Sequence, residues 1–200
     1  MTAEVFANDP LLLSEVLRCY KPHCRYLREL TVEARGERAT ATGAFEIAES
    51  CYIDATGHLN SVEVNICYNQ MLYQTIAVLV RHRVGPLFGG WTMEDYWRRQ
   101  LPGILITRLD SEYRRPIDPR RFYGEFVLAG SQERVSSIDS APFTSLDTWF
   151  RCWDDAGGRC AGTVRLAIVD VEQTLDAAQS ALGAVHSSQG TAQPSMGAVR

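Results

Sequence analysis

The sequence predicts an α+β fold in which an antiparallel sheet wraps around one long central helix. Three observations predict it. From Asn60 to Val80 the chain carries one full charge, Glu63, among apolar residues that surround a helix on most sides. Two strand-like segments come before that stretch and four come after it. An apolar helix accompanied by consecutive antiparallel strands buries itself by having the sheet curl around it.

Each element can be justified in order. Asp9 is placed to cap a short helix from Pro10 to Tyr20, with Pro10 at the first helical position. Leu12, Leu13, Val16 and Leu17 share one face of it, and Pro22 ends it. Tyr26–Ala34 and Ala39–Ile47 read as strands, with Gly36 in the turn between them; the second alternates small or apolar residues with Thr and Glu. Asn60 can cap the central helix, and Glu63 three positions on fits a capping box. Gly57 permits a tight approach just before it. Trp91–Gln100 reads as a second, more polar helix with Thr92 as its cap. Strands follow over Ile104–Tyr113, Arg121–Ala129, Ser145–Trp153 and Cys160–Val169, with a tight turn at Asp154-Asp155-Ala156-Gly157-Gly158. This order is that of the hot-dog fold. Its free sheet edge and open end call for a homodimer or a higher homo-oligomer. Residues 1–172 form the expected hot-dog domain with its N-terminal helix; residues 173–200, rich in Ala, Ser, Gly and Gln, read as a flexible tail.

Composition excludes several classes. The net charge is −4, so nucleic acid and anionic membrane are not expected partners. No uncharged apolar run reaches the ~18 residues a membrane span needs. The start, Met1 to Pro10, has neither a basic region nor a long apolar run, so no signal peptide is expected. The six cysteines form no CxxC pair, which points to free thiols in a reducing cytoplasm. Cys19, His23 and Cys24 fit no common zinc spacing, so no metal is expected.

No GxSxG, P-loop or GxGxxG is present, which argues against covalent or nucleotide chemistry. The densest polar cluster lies just ahead of the central helix: Glu49, Ser50, Tyr52, Asp54, Thr56, His58, Asn60 and Glu63. A helix N-terminus offers free N–H groups and the positive end of its dipole. It suits a carbonyl oxygen that gains negative charge, such as a thioester becoming an enolate. His58 is the best base, or else a hydrogen-bonded loop histidine. Asn60 is an oxyanion donor or an N-cap, Tyr52 a proton donor or a core aromatic, and Glu63 a catalytic carboxylate or a capping partner. Asn65, Tyr68, Asn69, Gln70, Tyr73 and Gln74 put uncharged polar groups inside the helix; they pair with the sheet or line a tunnel.

The runs Cys24-Arg25-Tyr26-Leu27, Glu49-Ser50-Cys51-Tyr52-Ile53 and Thr56-Gly57-His58-Leu59-Asn60-Ser61-Val62-Glu63 resemble the FcoT-like family. So do Gly90-Trp91-Thr92-Met93-Glu94-Asp95-Tyr96, Tyr113-Arg114-Arg115-Pro116-Ile117-Asp118-Pro119 and Trp153-Asp154-Asp155-Ala156-Gly157-Gly158. The resemblance spans Tyr20 to Val169 and implies a hot-dog fold. It implies an enzyme that adds glycine to a (2E)-enoyl thioester, giving a 3-(carboxymethylamino)acyl product, as in isonitrile lipopeptide and macrolactam biosynthesis. The alternative it implies is a long-chain fatty acyl thioesterase. The implied partners are an acyl carrier protein bearing a phosphopantetheine-linked chain, or acyl-CoA, together with glycine. The family's pocket tyrosines and asparagine fall on Tyr20, Tyr52 and Asn60, with His58 beside them. The usual thioesterase carboxylate has no counterpart unless Glu63 serves, which favours addition over hydrolysis. Arg25 and Arg114 are candidates for the glycine carboxylate. No metal or redox cofactor is required by this chemistry.

Overall fold

A computed structural model describes residues 2–54, 56–138 and 140–169. Strand β1 (Glu4–Phe6) was not expected from the sequence; it is three residues long and adds to the outer edge of β2 (Leu27–Arg35). Helix α1 (Pro10–Val16) starts where the sequence predicts, with Asp9 Oδ1 accepting from the N–H groups of Leu11 and Leu12 at 3.0 and 3.1 Å. It ends sooner. Leu17–Cys19 tighten into a 3-10 turn, and Pro22 opens a second such turn instead of closing the helix. Proline suits a first helical position because its missing N–H is unneeded there.

β2 and β3 (Arg38–Phe45) form a hairpin around Gly36, whose φ of 64° is the left-handed conformation that suits glycine. The central helix α2 runs over Ser61–Arg81, and α3 over Met93–Arg99. α3 is closed by a reciprocal bond pair between Thr92 and Asp95. β4 (Ile104–Arg115), β5 (Phe122–Val135), β6 (Pro142–Trp153) and β7 (Arg159–Ile168) complete the chain. β5 outruns its expected end at Ala129 because a bulge between Leu128 and Gly130 lets pairing with β6 continue to Val135. The tail expected from residue 173 lies outside the described residues.

The seven strands form one sheet in the order β1-β2-β3-β5-β6-β7-β4, with each neighbouring pair antiparallel. The chain leaves the sheet at β3, crosses through α2 and returns at the far edge as β4. This is the hot-dog arrangement. Every residue of α2 from Gln70 to Val80 is buried, in a core shared with Leu30, Phe45, Phe126, Leu146, Phe150 and Leu166 of the sheet. Two of the polar groups inside the helix find partners there, whereas Gln74 Nε2 and Oε1 and Asn65 Oδ1 find none among the described residues. Gln70 accepts from the N–H groups of Tyr26 and Leu27 and donates to the Cys24 carbonyl at 2.6 Å. The Tyr68 hydroxyl meets Thr148 Oγ1 at 2.8 Å. Among the described residues no helix is long and apolar enough to cross a membrane.

Candidate active site

The site is built around the first turn of α2. Asn60 sits in extended backbone as the N-cap, and its Oδ1 accepts from the Glu63 N–H at 3.0 Å. Its Nδ2 donates to Glu63 Oε2 at 2.8 Å. Both polar ends of Asn60 therefore engage Glu63, so the capping role is the one its bonds express, with one N–H of the amide left over. The cap is spent on Glu63, so the N–H groups of Ser61 and Val62 remain at the tip without it.

Glu63 is 2% exposed. Its Oε1 is buried and has no hydrogen-bond partner among the described residues, and the same is true of Ser50 Oγ. Buried polar atoms are nearly always bonded, so each orphan calls for a cause. Burial, and after it the Glu63 charge, pushes the Cys67 thiol up.

Two distant segments complete the walls. The Leu59 N–H donates to the Ile117 carbonyl at 2.9 Å, and the Ile47 N–H to the Pro119 carbonyl at 2.8 Å. These bonds lace the 116–119 segment across the loop that leads into α2. Asp154 anchors the other side. Its Oδ2 accepts from the Asp118 N–H at 2.8 Å, and its Oδ1 from Ala156 and Gly158 at 2.9 and 2.7 Å. Those backbone donors, Asp118 first, hold the Asp154 carboxyl below the usual carboxylate range. Gly158 packs so tightly on the Pro116 carbonyl and the Asp154 carboxylate that a Cβ has no space there.

Two clefts open on this scaffold, and His58 lines both. The first, about 420 Å³, is bounded by the helix tip at Asn60 and Ser61 together with Tyr113, Arg114, Arg115 and Cys160. The second, about 240 Å³, is bounded by Ile47, Ser50, Glu63, Asp118 and Arg120. The His58 ring is exposed in the single chain. Its Nδ1 lies 3.1 Å from the Thr56 carbonyl oxygen, and the Thr56 hydroxyl donates to the His58 carbonyl at 2.8 Å. A carbonyl can only accept, so Nδ1 carries a proton, and Nε2 is the ring nitrogen left to exchange one.

The remaining expected residues divide. Arg114 lines the first cleft, exposed and held by Glu112 at 2.9 Å. Tyr52 is 53% exposed and lines neither cleft, so the core reading of its ring does not hold. Tyr20 also lies away from both clefts, packed against the core, where burial pushes its phenol up. Arg25 donates to the Tyr20 and Arg18 carbonyls at 3.1 and 3.4 Å, a bracing role for the turn after α1. Sequence reasoning missed Arg115, Arg120 and Asp154. Arg115 and Asp154 stand in segments visible as motifs and Arg120 just beyond one, but nothing local to them shows that long-range pairing brings them to the helix tip.

The chain is similar to proteins of known kind. A family model described as "FcoT-like thioesterase domain" matches residues 15–168. A "(2E)-enoyl-[ACP] glycyltransferase" of Streptomyces coeruleorubidus is 52% identical over 164 residues, covering 82% of this chain and 99% of that protein. A protein of the same description from Mycobacterium marinum is 34% identical over 163 residues, covering 80% of this chain and 86% of that one. A solved mutant thioesterase from Pseudomonas aeruginosa superposes with a TM-score of 0.44 at 12% identity, covering 80% of this chain and 94% of that one.

Proposed function

Since the chain belongs to the FcoT-like thioesterase domain family, we propose that it adds glycine to C3 of a (2E)-enoyl thioester borne on an acyl carrier protein. Two relatives so described, each matched over at least 80% of this chain, support the reading. The structural observation that carries it is the position of His58, an imidazole on the wall shared by two clefts at the tip of α2.

The chemistry follows from elementary steps. His58 Nε2 takes one proton from the glycine ammonium. The freed lone pair forms the N–C3 bond while the C2–C3 π pair shifts onto the thioester carbonyl. The oxygen that becomes enolate-like meets the N–H groups of Ser61 and Val62 and the positive end of the α2 dipole. The spare N–H of Asn60 adds a donor. The proton then passes from His58 to C2, so the product holds a secondary ammonium at C3 and every atom is accounted for. Arg114 and Arg115 at the rim of the first cleft suit the phosphate of a pantetheine arm. The Tyr52 phenol, exposed on its loop, is a further proton donor if a second subunit folds against it.

That second subunit belongs to the same reading. Among the described residues the outer edge of β4 is unpaired over a 12-residue strand bearing exposed Leu105, Ile106, Leu109 and Tyr113. Long apolar edges invite pairing, so the functional unit is a homodimer joined there. Leu109→Arg is expected to yield monomers by light scattering.

One observation favours hydrolysis as a second reading: a buried carboxylate with a free oxygen, Glu63, can orient a water. The two readings separate when the protein is given enoyl and saturated acyl carriers, each with and without glycine. Addition gives a glycine-dependent mass gain on the enoyl carrier with the thioester intact. Free thiol from the saturated carrier, without that gain, overturns it.

A further inference from the structure

The two clefts that share His58 differ in chemistry, and the smaller one has the features an amino acid requires. We propose that the cleft of Glu63, Ser50 and Arg120 is the seat of glycine. On this account glycine enters by the smaller cleft and the enoyl thioester by the larger, and the two meet at His58. The inference rests on the glycine-adding reading above.

Glu63 is the first ground. Capping alone does not explain it, because glutamine fills the same capping position without a charge. Here a charged side chain is 2% exposed, with Oε2 bonded to Asn60 and Oε1 bonded to nothing among the described residues. Ser50 Oγ is a second buried orphan on the same wall. A carboxylate oxygen and a hydroxyl oxygen, both unpartnered, match the donors of an ammonium group, which has N–H bonds to give and no acceptor to offer. An ammonium seated there also offsets the buried negative charge.

Arg120 is the second ground. It lines the open side of this cleft, its side chain 81% exposed. Asp118 holds its Nε and Nη2, both at 3.1 Å, which fixes the plane of the guanidinium. The Nη1 edge of the fork is left for a second carboxylate. The cleft thus carries acceptors in its wall and, beside the Arg120–Asp118 pair, the free Nη1 edge of a guanidinium, an arrangement that suits an α-amino acid zwitterion laid inward by its amine. Its volume of about 240 Å³ is small, and the walls add Ile47, Ala48 and Pro119 as apolar surface.

The test measures each substrate's KM separately in the full-length protein, alongside glycine titrated calorimetrically into the free enzyme. Glu63→Gln keeps size and the Asn60 contact but removes the charge. Arg120→Gln acts at an exposed position, and Ser50→Ala is a mild change that keeps the test open if Glu63→Gln folds poorly. All three are expected to raise the KM for glycine, by at least about tenfold for the two charge removals, and to leave the KM for the enoyl carrier unchanged. The calorimetric binding of glycine should weaken in parallel. Arg120→Gln should also erase the preference for glycine over glycinamide, which lacks the carboxylate. If the variants change the KM for the enoyl carrier instead, or change neither, the seat is wrong while glycine addition by the unaltered protein stands. If the unaltered protein adds no glycine, the functional reading falls and the seat falls with it.

Discussion

Helix α2 has a histidine at each end, and the two ends are built differently. At the C-terminal end, His82 stacks on Phe6 with ring centroids 4.4 Å apart, and its backbone N–H caps Val78. Neighbouring Arg81 reaches Asp9 at 3.1 Å. From Gln70 to Val80 every residue is buried against the sheet or against α1 and α3. At the N-terminal end, His58 stands exposed on the wall of two clefts, and buried Glu63 keeps an oxygen unpaired among the described residues. Cations are stabilised near a helix C-terminus and anions near its N-terminus. The C-terminal end thus places its charges where they stabilise the fold. The N-terminal end leaves Glu63 Oε1 and Ser50 Oγ unmatched among the described residues in the wall of a cleft, whereas Gln74, unmatched inside the packed stretch, lines neither cleft.

Substitutions that act on one end and spare the other sharpen this contrast. The largest expected effect is at the N-terminal end. His58→Ala should lower the rate of glycine addition by about 10²- to 10⁴-fold, the range for loss of a general base, and leave the melting temperature within error. At the packed end Ile76→Ala should do the reverse. A buried large-to-alanine change costs about 2–5 kcal/mol, read as a shift in urea midpoint, with the activity of the folded fraction retained. Asn60→Ala should touch both properties. Loss of the cap costs about 1 kcal/mol. It also frees Glu63 Oε2, so activity should fall too. The smallest effect concerns Asp154. Its folded carboxyl titrates below the ordinary value of about 3.9, so its contribution is full above that value and fades as pH falls through the lower one. Thermal melts from neutral pH down to acid should show Asp154→Asn losing less stability below about pH 4 than the unaltered protein does.

Much of this contrast was readable in the sequence. The helix and its cap follow from local periodicity and from the Asn60–Glu63 spacing, because both are set within a few residues. Asp9 and Thr92 were readable as caps for the same reason. β1 was not, since three residues in the order Glu-Val-Phe show no period; pairing with β2 makes them a strand. His58 and Glu63 were visible as candidates because they sit beside the helix they serve. Arg120 and Asp154 were not, because their place at the site comes from the pinned 116–119 segment and from an Asp154 bond that spans 36 residues. Tyr20 was assigned by resemblance alone, Tyr52 by resemblance and by its place in the polar run ahead of the helix, and Arg25 as a cation near a matched motif. A resemblance gives position in the chain but not the direction a side chain takes in one subunit.

Hydrogen–deuterium exchange, compared between the free protein and its complex with an unreactive saturated acyl carrier plus glycine, tests most directly which end of α2 does the chemistry. New protection should gather in peptides covering residues 47–66 and 113–121, while residues 72–88 exchange as before. Protection confined to the far end, around Val84 and Phe88, with the Asn60 tip unchanged, would contradict the account.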